Sequence, residues 1–173
     1  VRIGLPVAIL LASTVACSNG NASPPAAGTK APAASAATGT TTGNACDHKW
    51  IQQADVDGIL SDPVTSMGPL QGDPQTCLFK TANFASIRIA TRPGLGKTTL
   101  DAWSSGRMGL SATPLSGIGD QAVWQDTLKE INATKGDLLC DVGIDGPPGS
   151  TKLSTADLQK RLGGLCTKIF AAQ

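Results

Sequence analysis

The chain has no tyrosine, and its 173 residues include one histidine, three phenylalanines and three tryptophans. Among thirteen acidic residues only Glu130 is a glutamate. Each shortage excludes something. Imidazole chemistry would rest on His48 alone, beside Cys46 and Asp47. A Cys–His nucleophile pair needs a free thiolate, and Cys46 is better used in a disulfide. His48 is therefore expected on the surface or packed near Trp50. No serine stands in a G-x-S-x-G setting. Aspartate in preference to glutamate is what turns and helix caps require. Six aromatics suffice for a small core. Trp124, flanked by Gln121 and Gln125, is the candidate for an exposed partner contact, with a core position as the competing reading.

Long apolar runs are also missing. Leu5 to Ala12 falls far short of the ~20 residues that span a bilayer. Arg2, that short run and the small residues Ser13 to Ala16 instead have the layout of a secretory signal peptide, residues 1–16. Thr14-Val15-Ala16-Cys17 resembles the bacterial lipobox, which is cut before a cysteine that then carries lipid. The resemblance implies that Cys17 is lipidated and that the chain is anchored outside the cytoplasm. Two or more acyl chains make such an anchor durable, at ~0.8 kcal/mol per buried CH₂. Ser18 after that cysteine implies the periplasmic side of the outer membrane, if the host is Gram-negative.

From Ser18 to Asn44 the sequence is Ala, Gly, Ser, Thr, Pro and a few Asn, with Lys30 as the one charge. It holds too little apolar area to offset ordering entropy, so residues 17–45 are expected to form a disordered tether. A flexible coil of this length spans roughly 30 Å. Residues 46–173 then form a single domain. Its charges nearly cancel, 12 basic (14 less Arg2 and Lys30) against 13 acidic. No basic run exists to bind nucleic acid, and no basic amphipathic helix to bind a lipid surface.

Cys46, Cys77, Cys140 and Cys166 are an even set in a compartment where disulfides persist. Four cysteines allow three pairings. Cys46–Cys77 with Cys140–Cys166 is favoured, because each bond closes a loop within one half of the domain. Loops of about 30 residues contribute roughly 3–4 kcal/mol each in the chain-entropy model. A four-thiolate zinc site would bring close pairs such as C-x₂-C, and none is present. Asp55-Val56-Asp57-Gly58 opens like a calcium loop but lacks the later ligands and the closing glutamate. Asp141 and Asp145 alternate onto one strand face, which places two carboxylates near each other. No metal, nucleotide or other cofactor is expected beyond the covalent lipid.

Local patterns predict a helix over Ile51–Leu60, stopped before Pro63, then a loop over 68–76. Strands follow over 77–81 and 84–92. RPGLGKTTL (92–100) resembles a phosphate loop, and DLLCD (137–141) could pose as its magnesium strand. The G-x-x-x-x-G-K-[ST] pattern requires glycine where Thr91 stands. The same letters read as a turn followed by a helix over Thr99–Met108 capped by Thr98. A strand within 116–127 and a hairpin over 128–145, closed at Lys135-Gly136-Asp137, come next. The last helix is capped by Ser154 with Asp157, and Leu158, Leu162, Leu165, Cys166, Ile169 and Phe170 form one apolar stripe. The expected fold is α+β: an antiparallel sheet of four to five strands covered on one face by helices, in the order α-β-β-α-β-β-β-α.

Cys46 before a short helix, TCLF at Cys77, SGIGDQAVW, the KGDLL strand start and the amphipathic last helix resemble a class of small bacterial lipoproteins. Related domains occur in actinobacterial lipoproteins and, more distantly, in sensor domains outside membrane kinases, with a fold compared to the PsbP type. The resemblance implies a binding or structural role and no catalytic residues. The expected function is a non-catalytic binding domain for a protein or small ligand. The alternatives are an immunity lipoprotein that inhibits an envelope-acting toxin, or a hydrolase.

Overall fold

The computed structural model describes residues 43–105 and 111–173; the signal segment, Cys17 and most of the tether lie outside the described residues. A short helix α1 (Gln53–Val56) precedes strands β1 (Val64–Leu70), β2 (Asp73–Thr81) and β3 (Ser86–Pro93). Helix α2 (Gly96–Ser104) leads to strands β4 (Thr113–Leu115), β5 (Gln121–Gln125), β6 (Glu130–Lys135) and β7 (Leu138–Asp145), then to helix α3 (Thr155–Ala171).

The seven strands form one antiparallel sheet in the order β1-β2-β3-β7-β6-β5-β4. The first three run as a meander. The segment containing α2 then carries the chain to the far edge, and the last four strands return until β7 lies beside β3. The fold is α+β as expected, but the sheet has seven strands, not four or five. The two unforeseen strands, β1 and β4, are its edges. Each contains a proline within it, Pro69 or Pro114, which an edge strand accommodates. Neither strand shows the alternation that marks a half-buried strand, because β1 is largely exposed and β4 has three residues.

Alternation sorts the sheet into two faces. Phe79, Ile87, Ile89, Ile131, Ala133, Val142 and Trp124 form the main core with Leu158, Leu162, Ile169 and Phe170 of α3. Ile51, Val56, Ile59 and Leu60, from α1 and its flanks, complete that layer. The expected helix over Ile51–Leu60 shortens to four residues; Ile51, Ile59 and Leu60 are buried as the pattern placed them, but Ala54 is exposed and Val56 takes the inward position instead. The opposite face holds Leu78, Ala90, Leu139 and Val123, buried outside that cluster, and α2 packs over β5, β6 and β7 there with Leu100 buried. Helices therefore cover both faces. Single-face coverage was expected because nothing in α2 declares which side of the sheet it crosses.

Both disulfides form with the favoured pairing, Cys46–Cys77 and Cys140–Cys166, at Cα separations of 5.5 and 5.8 Å. The first ties the turn before α1 to β2, and the second ties α3 to β7. Asn44 and Ala45, assigned to the tether, are wholly buried. The Asn44 side chain donates to the Pro74 carbonyl at 2.8 Å and accepts from the Cys46 N–H at 2.8 Å. The ordered domain thus includes residues just before its first cysteine.

Ser154 caps α3 as read, accepting from the Asp157 N–H at 3.2 Å. The SGIGD turn is equally specific. Gly119 has φ +59°, and a Cβ there would strike the Thr134 carbonyl and the Phe170 ring. Gly117 has φ +80° but open space around it. Gly119→Ala is therefore expected to cost more than about 2 kcal/mol and Gly117→Ala about 1 kcal/mol. Urea unfolding of the two variants checks this, and equal losses would contradict it.

Candidate functional site

The α2-covered face departs from the apolar pattern of a packed sheet. Register places Arg88 of β3, Gly143 of β7, Glu130 of β6 and Gln125 of β5 in one row across the strands. The next row is Ala90, Asp141, Asn132 and Val123. Gln125, Glu130, Asn132 and Asp141 are all buried, none above 7 % exposed. Polar groups are rarely buried at this density without partners.

The centre of the cluster is an ion pair. Arg88 Nη2 lies 2.5 Å from Glu130 Oε2, and Arg88 Nε lies 3.4 Å from Asp145 Oδ2. Glu130 Oε1 accepts from Asn132 Nδ2 at 2.7 Å. The pair spans β7 at Gly143. A Cβ there would lie 3.1 Å from Arg88 Nη2 and 3.4 Å from Glu130 Cβ, so the bare glycine gives the bridge its room. Toward the open side, Arg92 Nη2 donates to Asp73 Oδ2 at 2.7 Å, and Thr76 Oγ1 donates to the same oxygen at 2.8 Å.

The electrostatics follow from this arrangement. Hydrogen bonding from Arg92 holds the Asp73 carboxyl below its ordinary range against a smaller opposing effect of burial. Burial opposes the charge on Arg88, but Asp141, Glu130 and Asp145 around it outweigh that and raise its affinity for protons. Asp141 is pushed up to about 7, first by burial and then by the Glu130 charge, with Arg88 and Arg92 pulling the other way. Gln125 Oε1, Asn132 Oδ1 and Asp141 Oδ1 are buried without a hydrogen-bond partner. The cluster is thus rich in unused acceptors.

Asp141 and Asp145 do share a face, as the alternation required, but Glu130, Arg88, Asn132 and Gln125 join them only through register. The one sequence signal for this was the lone glutamate inside a strand pattern. Among the described residues no group of three or more His, Cys, Asp or Glu side chains is placed to hold a metal. Trp124 is a correction: it is 2 % exposed in the main core, with Nε1 donating to Asp126 Oδ1 at 3.3 Å, and its place in an alternating strand turns it inward. His48 stacks on Trp50, with ring centroids 4.4 Å apart.

The sequence reading missed Phe84. Expected to open a strand, it lies in the β2–β3 turn with φ +64° and is 91 % exposed. An open groove of about 410 Å³ runs between the SGIG turn and α3, lined by Leu115, Ile118, Gln159, Gly163 and Thr167.

The phosphate-loop reading ends here as well. The N–H groups of Gly94 and Gly96 both donate to the Asp137 carbonyl, at 3.0 and 3.2 Å, and are unavailable to phosphate. Lys97 pairs with Asp101 at 3.0 Å. The helix begins at Gly96 without a side-chain cap, one turn earlier than the Thr98 cap implied. β7, the supposed magnesium strand, runs antiparallel to β3, whereas that chemistry sits on neighbouring parallel strands.

Comparison with protein-family models, with curated proteins and with solved structures finds no match for the chain.

Proposed function

We propose that the chain is a non-catalytic binding domain held outside the cytoplasm by lipid on Cys17, and that the polar sheet face recognises its protein partner or small ligand. The observation that carries this reading is the cluster of buried Glu130, Asn132, Asp141 and Gln125 beside half-buried Arg88. Packing alone favours apolar side chains at such positions, since a buried ion pair adds little stability over them. Places where a fold breaks its own local rule are expected to be functional. The half-buried arginines Arg88 and Arg92, with Asp73 and Asp145 beside them, form the rim through which a polar partner is met.

Two observations support the location. Paired cysteines fit an oxidising compartment. The resemblance to small bacterial envelope lipoproteins and the lipobox-like end of the leader agree with it. The absence of catalysis is supported by Glu130, whose two oxygens are engaged by Arg88 and Asn132 and so are not free to take a substrate proton.

Two experiments test the reading. Metabolic labelling with a clickable palmitate is expected to mark the native chain and to miss Cys17→Ser; equal signal from both contradicts the anchor. In affinity capture from envelope extract, partners held by the polar face are expected in the native sample and lost from Arg92→Glu. Recovery of the same partners with both baits contradicts the assigned face.

A further inference from the structure

The polar face contains four carboxylates and two arginines. Arg88 is shared between Glu130 and Asp145, and Arg92 is engaged by Asp73. Among the described residues no cation hydrogen-bonds or ion-pairs directly with Asp141, although Arg88 and Arg92 act on it through space. Among the described residues the other elements packed here add none: β5 brings the uncharged Gln125, and on α2 the exposed Lys97 is paired with Asp101. Asp141 is directly opposite Asn132 in the β6–β7 register. The Asn132 amide N–H₂ is committed to Glu130 at 2.7 Å, so its Oδ1 is turned elsewhere and has no donor. Asp141 Oδ1 has none either. Two bare, buried acceptors on directly paired residues repel each other, and a single proton converts that repulsion into a hydrogen bond.

We propose that Asp141 remains the neutral acid in the folded domain through weakly acidic pH, its O–H donated to Asn132 Oδ1, and that its ionisation around neutrality loosens α2 from the sheet. The chain Asp141–Asn132–Glu130–Arg88–Asp145 then forms one continuous hydrogen-bonded and ionic network across three strands. On ionisation the carboxylate faces the Glu130 charge, only partly offset by Arg88 and Arg92, on the sheet face where α2 packs. The inference concerns this network and does not rest on the binding reading.

The sign follows from linkage. The Asp141 carboxyl titrates at about 7 when folded, above its ordinary value of 3.8, so the folded chain binds this proton more tightly than the unfolded one. The resulting stabilisation is complete below about pH 4, declines as pH rises, and is gone above about pH 7. Across that window the folding equilibrium constant is expected to lose about tenfold per pH unit from this group.

The test uses the mature chain secreted as Cys17→Ser. A ¹³C-detected titration is expected to show the Asp141 carboxyl changing state near pH 7 in the native sequence, and a midpoint in the ordinary carboxylate range would overturn the proposal. Asp141→Asn, a neutral isostere whose amide donates to the same Asn132 oxygen, is expected to flatten this part of the stability profile. Amide exchange in α2, corrected for intrinsic rates, is expected to accelerate between pH 6 and 8.5 in the native sequence and not in Asp141→Asn. Identical acceleration in both would overturn the coupling to α2. The carboxyl titration needs no variant, so a poorly folding Asp141→Asn leaves the central claim open to disproof.

Discussion

Replacing Cys140 and Cys166 together by serine is expected to lower the unfolding free energy by about 3–4 kcal/mol from chain entropy alone. The bond closes 26 residues between β7 and α3, and both cysteines are fully buried in the main core. Two hydroxyls then occupy an apolar layer, and a buried hydroxyl without a partner costs about 1–3 kcal/mol more. The total is a large share of the 5–15 kcal/mol that holds a typical domain folded. Near-neutral cost in urea unfolding would mean that the denatured chain keeps α3 close to β7 without the bond. The Cys46–Cys77 bond closes a similar loop, but Cys46 is only half-buried. Its loss is expected to stay nearer the entropic figure alone.

Arg88→Leu is expected to cost about 3 kcal/mol at pH 8, since removing one partner of a buried pair strands the other charge. Glu130 is that stranded charge, with a side chain only 4 % exposed. Asp145, 56 % exposed, is rehydrated easily and adds little. The double variant Arg88→Leu with Glu130→Leu is expected to recover most of the loss, because an apolar pair of similar volume has no desolvation penalty. Failure of the second substitution to rescue the first would show that Arg88 is held by more than its carboxylate. The penalty is also expected to shrink in acid, where the carboxyls of this face take up protons.

Such ion-pair geometry was not legible from the chain, and the reason is combinatorial. Arg88 and Glu130 are 42 residues apart, and nothing in RIATR or KEINATK announces the other. They meet because β7 enters between β3 and β6, and because Gly143 in that strand leaves the bridge its room. Asp141 and Asp145 were visible as a same-face pair, because alternation is a property of one strand. The burial of Asp141 was not, because it depends on what packs over that face. Trp124 was misplaced as a partner contact for a similar reason: flanking glutamines read as solvent, yet alternation sends them to the other face, where Gln125 is buried.

What the chain determined by itself was local and periodic. The α3 stripe with its Ser154 cap, the 128–145 hairpin, the half-by-half cysteine pairing and the turn at Gly94–Gly96 all follow from spacing over a few residues or from loop length. What only the tertiary structure decided was non-local. The edge strands β1 and β4 exist because neighbouring strands hydrogen-bond to them, not because their own residues favour extension. The polar face exists because β3 meets the β6–β7 hairpin, distant from it in sequence, in one register, and the energy of a buried charge depends on its neighbours in space.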